Sequence, residues 1–395
     1  MFRTWFTAAA VTIAVTATVL TGAAQASATA LTHDPTAPPR HRYGQAELQH
    51  DLDAIRATGV SGVLAQVDLG PHHLRGTSGV ADLTTGGAVN VDGYFRMGSN
   101  TKTFVSVVVL QLVAEGRLSL DDTVEHWLPG VVRGNGNNGA AITVRQLLQH
   151  TSGIHDYTDD LLAQIGSVED YQKFRFASYT PQQLVSIAMT HEPEFAPGQS
   201  WSYSNTNYVL IGMIIKKATG RDWTYEVRDR IIRPLGLRHT FAPGTDTDLP
   251  DPHASAYLYL DRNTPIETAD ENLTWAGAAG ALVTTASDLS RFWDAIGRGT
   301  LLRPAQQKQM RTTVLATTFQ EDRPGLRYGL GIQIAPLTCG GGYWGHDGDV
   351  PGFSTRIGVS ADGQSTVVIS ISTSADTPVD QAAWAMIDHA LCSRD

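Results

Sequence analysis

Residues 98–116 of this 395-residue chain read GSNTKTFVSVVVLQLVAEG. Apolar side chains would surround most of a helix over Thr101–Glu115, and Gly116 follows where such a helix would end. The stretch therefore predicts a helix buried inside the fold. Ser99 lies three residues before Lys102, and residues three apart share one helix face, so the lysine nitrogen can reach the serine hydroxyl.

A lysine beside a serine has a chemical use when both are sheltered from water. Burial disfavours the charged ammonium, and the neutral amine can take the hydroxyl proton and leave a nucleophilic oxygen. The positive end of the helix favours the developing alkoxide. Of the five lysines, Lys102 alone has a serine three residues earlier. The alternative interpretation is a serine that caps the helix, followed by a solvated lysine.

Short β-like runs and helical stretches alternate on both sides of this segment. Before it, the pattern predicts a helix at Ala46–Ala57 and an antiparallel meander of Gly62–Asp68, His73–Ala81 and Tyr94–Met97. In the middle of the chain, it predicts helices at Val144–Gln149, Pro181–Met189 and Asn207–Ala218. Towards the C-terminus, it predicts the helix Ala286–Ile296, the strands Tyr328–Ile334, Phe353–Val359 and Thr366–Ser372, and the helix Val379–Leu391.

These elements predict an α/β fold in which one antiparallel sheet is flanked by N- and C-terminal helices and carries an inserted, mainly helical domain. Residues 31–118 and 276–395 form the sheet domain, and residues 119–275 form the insertion. Apolar residues make up 42% of the chain and charged residues 17%, as in an ordinary globular protein. The formal net charge is −10, which argues against nucleic acid as a partner.

The first thirty residues predict a cleavable secretory signal peptide. Arg3 provides a short positive head, Phe6–Leu20 is a nearly uncharged apolar stretch, and small residues follow up to Ala30. The alternative is an uncleaved membrane anchor, but this apolar core is shorter than a span and is broken by threonines. We therefore expect a secreted protein without a stable membrane anchor. In an oxidising compartment its two cysteines, Cys339 and Cys392, are expected to form a disulfide.

Two further motifs occur once each. Tyr203-Ser204-Asn205 precedes an apolar helix, and a tyrosine oxygen beside a lysine can pass a proton to a leaving group while an asparagine amide holds the lysine and a substrate carbonyl. His346-Asp347-Gly348 lies between two β-like runs. Taken singly, each motif is explained as well by a loop tyrosine with a helix-capping asparagine, or by a structural histidine before a turn.

In the order S-x-x-K, Y-x-N, H-x-G, the chain resembles the penicillin-recognising serine hydrolases, for which S-x-x-K is a known nucleophile signature. It is most similar to the branch that holds class C β-lactamases and D-alanyl-D-alanine peptidases, notably the secreted D-alanyl-D-alanine carboxypeptidases of actinomycetes. The likeness extends through residues 147–153, 195–198 and 279–281 to Asp288-Leu289. It implies the β-lactamase/transpeptidase-like fold and an acyl-enzyme route that needs no metal or organic cofactor.

The resemblance also implies a role for each motif residue. Ser99 would be the nucleophile, Lys102 its base, and Tyr203 the proton donor to the leaving amine and later the activator of water. Asn205 would position the substrate and the lysine, and His346 would hydrogen-bond to Tyr203. The backbone N–H groups of Ser99 and Asp349 would form the oxyanion hole. The implied substrate contacts are Thr158, Trp275, Asp347 and Gly348.

One departure from the carboxypeptidase pattern concerns the substrate. Asp347 and Asp349 stand where that pattern has threonines, and Gln333 stands in place of the arginine that holds the terminal carboxylate of the peptide. Two carboxylates beside the site would repel an anionic C-terminus. We therefore expect substrates whose end is neutral or cationic, unless Arg356 supplies another anchor.

Several activities share this acyl-enzyme chemistry. The sequence favours a monomeric D-alanyl-D-alanine carboxypeptidase-like hydrolase that takes a small peptide, a cell-wall peptide or a β-lactam. The alternatives are a class C-like β-lactamase, a D-aminopeptidase or amidase, an esterase, and an acyl transferase to an amine. A non-catalytic module that binds penicillin or cell-wall peptide is the non-enzymatic alternative.

Three other patterns suggest sites that we do not expect to form. Gly134–Gly139 matches the dinucleotide fingerprint but lies in an Asn/Gly-rich loop rather than between a strand and a helix. His191-Glu192-Pro193 lacks the second histidine of a zinc protease motif, and its proline would break the helix. His72-His73 is an isolated pair expected in an exposed turn. None of the three predicts a metal or cofactor site.

Overall fold

A computed structural model describes residues 42–260 and 264–393 of the chain. The predicted signal peptide lies outside these described residues. The helices are α1 Gln45–Arg56, α2 Thr101–Ala114, α3 Val124–Trp127, α4 Val144–Leu148, α5 Tyr157–Leu162, α6 Val168–Phe174, α7 Pro181–Ala188, α8 Asn205–Thr219, α9 Trp223–Val227, α10 Arg233–Leu235, α11 Gly277–Gly280, α12 Ala286–Gly297, α13 Pro304–Met310 and α14 Thr377–Cys392. None of these helices combines the length and hydropathy needed to cross a bilayer.

The strands follow the same chain order. They are β1 Gly62–Leu69, β2 His72–Gly79, β3 Tyr94–Arg96, β4 Arg133–Gly134, β5 Asn137–Asn138, β6 Tyr257–Tyr259, β7 Pro265–Glu267, β8 Val283–Thr285, β9 Val314–Leu315, β10 Arg327–Tyr328, β11 Gln333–Pro336, β12 Gly342–Gly345, β13 Gly348–Val350, β14 Phe353–Ser360 and β15 Ser365–Ile371. The main antiparallel sheet has the order β2-β1-β15-β14-β12-β11-β10-β9, and β13 also pairs with β14. Strands from the two chain ends therefore meet at its centre, where Val63 pairs with Ile371.

Helices cover both faces of this sheet because its central strands are apolar on both sides. Val63 and Val67 share a core with α1 and α14, whereas Leu64, between them, joins the core that contains α2 and α12. This alternation follows from the two-residue period of a strand. In the second core Phe104 of α2 stacks on Phe292 of α12, with ring centroids 3.5 Å apart. The predicted α/β class, with terminal helices against an antiparallel sheet, is confirmed.

The predicted meander at the N-terminal end is wrong in its third strand. β3 does not join β1 and β2 but pairs with β8, so that Tyr94 lies opposite Thr285. A short β-like run predicts that a strand forms but does not predict which strand it pairs with. The partner strand, β8, was itself not predicted. The run Tyr328–Ile334 also divides into β10 and β11, because Gly331 turns the chain at φ +70° against α2.

Most of the short helices lie between Ser119 and Trp275, as the helical insertion requires, although this region also holds the hairpins β4–β5 and β6–β7. We retain residues 31–118 with 276–395 as the sheet domain, and 119–275 as its insertion, as a proposal. Cys339 and Cys392 form the predicted disulfide, which ties the segment before β12 to the end of α14.

Candidate active site

Ser99 lies in a single 3₁₀ turn, Gly98–Asn100, that leads directly into α2. Gly98 adopts φ +52°, and a Cβ atom at this position would lie 2.6 Å from the backbone nitrogen of Asp349. Only glycine tolerates both this dihedral angle and this close approach. Behind the turn, Asn100 donates a hydrogen bond to the Thr355 hydroxyl at 2.7 Å. The backbone around Ser99 is therefore held by the neighbouring strands before any substrate arrives.

Three oxygen atoms surround the Lys102 amine, which is fully buried. Its Nζ lies 2.7 Å from Asn205 Oδ1, 2.8 Å from the carbonyl oxygen of Ala279 and 2.9 Å from Ser99 Oγ. The amide and carbonyl oxygens can only accept hydrogen bonds, whereas a hydroxyl can also donate. A neutral Lys102 would donate its two N–H groups to those oxygens and turn its lone pair to the Ser99 hydroxyl.

The orientation of Asn205 follows from its other contacts. Its Nδ2 donates to Asp156 Oδ2 at 2.9 Å and to Thr158 Oγ1 at 3.2 Å, which leaves Oδ1 to face Lys102. Asp156 in turn caps α5 by accepting from the backbone N–H of Thr158. The start of α5 and the start of α8 are thereby connected to the lysine through one amide group.

Burial also sets the charge of this group. Loss of solvation lowers the pKa of Lys102 to about 7, and the nearby Asp156 carboxylate opposes that decrease. Burial likewise raises the pKa of Asp156, against the effect of its hydrogen bonds and of Lys102. The amine can therefore be neutral near neutral pH, the state in which it can accept a proton.

The Tyr203 ring lies over the same amine, with Lys102 Nζ 4.8 Å from the ring centroid. Burial raises the pKa of Tyr203 well above its usual value, and the neighbouring Ser99 hydroxyl opposes that rise. Tyr203 therefore keeps its proton and can donate it. A phenol and an amine thus flank Ser99, and of the two only the amine is suited to take its proton.

The structure corrects the expected partner of His346. Its Nε2 contacts the Tyr328 hydroxyl at 2.8 Å and its Nδ1 contacts the carbonyl oxygen of Asp347, whereas the Tyr203 ring lies 6.4 Å away between centroids. Because a carbonyl only accepts, Nδ1 carries the proton and Nε2 accepts from Tyr328. Burial lowers the pKa of His346 to about 3, so the ring is neutral. The link between His346 and Tyr203 is therefore packing, because the Tyr328 ring packs against both of their rings.

The two backbone N–H groups predicted as an oxyanion hole lie on adjoining segments. A Cβ atom at Gly348 would come within 2.9 Å of the Ser99 backbone nitrogen and 2.2 Å of the Met97 carbonyl. Together with the contact of Gly98 on Asp349, this brings the turn at Ser99 against β13. The glycine of the H-x-G motif is therefore explained by this close approach of two backbones.

A cavity of about 360 Å³ opens beside Ser99, Tyr203, Asn205 and His346. One part of its wall is apolar and consists of Phe319, Leu326 and Trp384. The remainder is strongly charged, and we call it the charged wall; it consists of Asp322, Arg323, Asp347, Asp349, Arg356 and Asp380. Four carboxylates face two guanidinium groups there, a formal excess of two negative charges.

The arginines of the charged wall are held by its carboxylates. Arg323 donates to Asp347 Oδ2 at 2.5 Å, and Arg356 donates to Asp349 at 3.0 Å and to Asp380. Arg323 also lies 3.3 Å from the Gln333 amide oxygen, so a guanidinium is present near the position where the carboxypeptidase pattern places its arginine. Asp347 Oδ1 is buried, and no hydrogen-bond partner exists for it among the described residues.

Three of the four predicted substrate contacts do not line this cavity. Thr158 is buried and its hydroxyl accepts from Asn205, while Trp275 is buried and its indole N–H donates to Glu271. Neither side chain lines the cavity, whereas Asp347 does. Gly348 does not line the cavity either, and its backbone lies against the turn at Ser99. The roles of Thr158 and Trp275 as substrate contacts stay predictions.

The sequence did not reveal Asp156, Arg323 or Tyr328. Each lies in a loop or a two-residue strand, with no motif around it, and becomes relevant only through contacts with residues far along the chain. The fully buried His150 is another such residue, since its ring packs on Tyr203 at 4.3 Å. Of these four residues, only His150 could have been found from the sequence, because it lies within residues 147–153, one of the stretches that carry the family likeness.

Known proteins resemble this chain in sequence. The β-lactamase family model matches residues 46–391. Penicillin-binding protein 4* of Bacillus subtilis is 26% identical over 332 residues, which are 81% of this chain and 69% of that protein. Protein flp of Staphylococcus aureus is 26% identical over 245 residues, and the match spans 46% of its length.

Solved structures extend the likeness to the whole fold. A D-stereospecific amidohydrolase from Streptomyces sp. is 43% identical with a TM-score of 0.79, over 86% of this chain and 98% of that one. A D-amino acid amidase from Ochrobactrum anthropi SV3, complexed with L-phenylalanine amide, is 26% identical with a TM-score of 0.77, over 89% of this chain and 99% of that one.

Proposed function

The chain belongs to the β-lactamase family of serine acyl hydrolases, and from that membership we propose that it hydrolyses amides of D-amino acids through an acyl-enzyme on Ser99. The observation that carries the proposal is the set of contacts around Lys102, in which two pure acceptors leave the Ser99 hydroxyl to face the lone pair of the amine.

Acylation begins when Ser99 Oγ attacks the substrate carbonyl and its proton passes to Lys102 Nζ. The carbonyl oxygen becomes an oxyanion that the backbone N–H groups of Ser99 and Asp349 bind, a contribution of roughly 3–4 kcal/mol per donor. Tyr203 then gives its proton to the leaving nitrogen, which departs as ammonia or an amine. Lys102 returns a proton to Tyr203, and the acyl group remains on Ser99.

Deacylation repeats these proton transfers with water in place of the leaving group. Tyr203 accepts the proton of the attacking water while it passes its own proton to the neutral Lys102. A proton then returns to Ser99 Oγ as the acyl group leaves it. Asn205 holds Lys102 in place during both halves, because its amide is fixed by Asp156. An amine that replaces water at this stage would give transfer rather than hydrolysis, so both outcomes use one intermediate.

The charged wall supports an amide substrate over a peptide with a free C-terminal carboxylate. Its excess of carboxylates repels an anion, and both of its arginines are already paired with aspartates. Among the residues that the structure describes, Asp347 Oδ1 has no hydrogen-bond partner, and a substrate N–H could supply one. The preference for the D configuration is supported by the two amidohydrolase relatives described above.

We expect the enzyme to cleave D-phenylalanine amide at least about 10-fold faster, in kcat/KM, than L-phenylalanine amide. We also expect a D-Ala-D-Ala peptide to react about 10-fold more slowly than its C-terminal amide, the effect of roughly 1.4 kcal/mol of repulsion. Steady-state kinetics on these four compounds measure both ratios. In Asp347→Asn, the free-acid D-Ala-D-Ala peptide should react at a rate closer to that of its C-terminal amide. The substitution removes one carboxylate that repels the free acid, and it frees Arg323 to bind the acid.

A strong preference for the free acid would instead make the chain a D-alanyl-D-alanine carboxypeptidase, since an arginine of the charged wall would then bind the carboxylate. Faster turnover of a chromogenic cephalosporin than of any amide would make it a β-lactamase. No turnover of any compound, with fluorescent penicillin still bound, would leave a binding module. Each of these three results would contradict the proposed amidase.

The pH dependence should report the state of Lys102. Because the neutral amine is the base, log kcat/KM should rise with a slope of about one as pH increases towards the lysine pKa of about 7, and then level off. Because the pKa of Tyr203 is raised well above its usual value, the phenol stays protonated across the plateau and can still donate its proton. Asp156→Asn removes the charge that raises the lysine pKa, so the rise should move to lower pH. An unchanged profile in this variant would contradict the assignment.

Export and assembly also remain proposals. The disulfide between Cys339 and Cys392 fits an oxidising compartment, as the predicted signal peptide does. We propose a secreted monomer. Intact mass of protein from the culture medium would show the cleavage position, and size-exclusion chromatography with light scattering would give the oligomeric state.

A further inference from the structure

A cluster of two histidines and two carboxylates lies behind the active site, outside the cavity beside Ser99. His155 precedes α5, Asp160 lies within α5, and His191 and Glu194 lie in the turn after α7. The nitrogen and oxygen atoms that His155, Asp160 and His191 can offer all lie within 4.8 Å of one another. The three catalytic motifs and the proposed acyl-enzyme chemistry use none of these four side chains. The sequence around His191 lacked the second histidine of a zinc protease motif, and the structure supplies a second histidine, His155, from a distant part of the chain.

One carboxylate bridges the two imidazole rings. Asp160 Oδ2 lies 3.1 Å from His155 Nε2, and Asp160 Oδ1 lies 2.9 Å from His191 Nε2. The two rings stack with centroids 3.9 Å apart and an angle of 23° between their planes. In this arrangement one nitrogen of each ring points to the same small volume beside Asp160.

Counting protons shows that two neutral rings alone cannot satisfy the carboxylates of this cluster. His155 faces Asp160 through Nε2 and Glu194 through Nδ1, at 3.0 Å. A neutral imidazole has one N–H, so one of these contacts would oppose a nitrogen lone pair to a carboxylate. One extra proton on His155 would satisfy both of its contacts and leave His191 neutral; although burial opposes it, hydrogen bonds to Glu194 and Asp160 do raise the pKa of His155. A single divalent ion held between both rings and Asp160 would satisfy the same groups with neutral rings, and the two states differ in whether the protein binds a metal.

From this geometry we propose that His155, Asp160 and His191 bind one divalent transition-metal ion of the zinc class. Two imidazoles and a carboxylate are borderline ligands that suit Zn²⁺ better than Ca²⁺ or Mg²⁺, which take oxygen ligands. Glu194 would accept the Nδ1 proton of His155 and orient the ring, as carboxylates commonly do behind metal-bound histidines. The side chain of His191 is 40% exposed, which gives the ion a path from solvent.

The ion would stabilise the segment that positions Asn205. The carbonyl oxygen of His155 accepts from the Thr206 hydroxyl at 2.7 Å, and the adjacent Asp156 binds the Asn205 amide. The supporting turn is itself held, because Asn137 of the glycine-rich hairpin donates to the His191 carbonyl at 2.8 Å. The metal is therefore a structural clamp beside the site, and the ion takes no part in bond cleavage.

Zn²⁺ added to protein that has been stripped with EDTA and desalted provides the test. We expect isothermal titration calorimetry to give one equivalent with a micromolar or lower Kd, and Tm to rise by roughly 4 °C at about 100 times Kd. His191→Ala, which removes a half-exposed side chain, should weaken binding at least about 10-fold. Asp160→Asn should do the same while keeping the shape of the bridging group.

His73→Ala is the matched control, because His73 also pairs with an aspartate, Asp68, but lies in the exposed strand β2. This variant should bind Zn²⁺ as the unmodified protein does. Co²⁺ in place of Zn²⁺ should give visible d–d absorption that is lost in His191→Ala. Binding that is equal in His191→Ala and the unmodified protein, or absent from the unmodified protein, would overturn the proposal.

Discussion

Ser99→Ala is expected to lower kcat/KM for D-phenylalanine amide by at least about 10⁴-fold, because no other group can form the acyl-enzyme. The residual rate would come from the oxyanion hole and binding alone. Among the described residues, the serine hydroxyl hydrogen-bonds to Lys102 and Tyr203, so its removal should leave the packing of α2 intact. Steady-state kinetics with a Tm measurement on the same preparation check both expectations.

A matched control for this variant is Ser287→Ala, which changes a partly buried serine of α12 that does not line the active-site cavity. It should retain the unmodified rate. If Ser99→Ala kept more than about one tenth of the activity while folding normally, another nucleophile would have to act, and the proposed chemistry would fail.

Lys102→Ala is the second large effect, and we expect kcat to fall by about 10³–10⁴-fold with little change in KM. The amine contacts Ser99, Asn205 and Ala279 but does not line the cavity, so its loss should remove the base rather than substrate binding. Lys102→Arg should be similarly inactive, because a guanidinium keeps its proton at any working pH.

Lys173→Ala controls for the loss of a lysine as such, since Lys173 is exposed and pairs with Glu169 on the surface of α6. Its kinetics should match those of the unmodified protein. A near-normal rate in Lys102→Ala would move the role of base to Tyr203, which would then have to lose its proton despite the burial that raises its pKa.

The sequence predicted those parts of the fold whose pattern is local. The buried helix α2 was predicted because its apolar residues leave no polar face, and α1 and α14 because theirs recur at helical spacing. Pairing is not local, so the sequence could not show that β3 joins β8. It also could not divide β10 from β11, because the turn at Gly331 lies within one β-like run.

The candidate site shows the same division. Ser99 and Lys102 were predicted as neighbours because a helix fixes their spacing, and the structure brings Tyr203, Asn205 and His346 to them. The substrate side was harder to predict. The charged wall assembles from loops, from the strands β13 and β14 and from α14. The ion pair between Asp347 and Arg323, which lie 24 residues apart, leaves no trace in either local sequence.

Acid-quenched intact mass spectrometry during turnover of D-phenylalanine methyl ester tests the central claim most directly. We predict one D-phenylalanyl group per chain, which peptide mapping places on Ser99 and which is absent from Ser99→Ala. Product formed without any such adduct, or an adduct on a different side chain, would contradict the claim that Lys102 activates Ser99 for covalent catalysis.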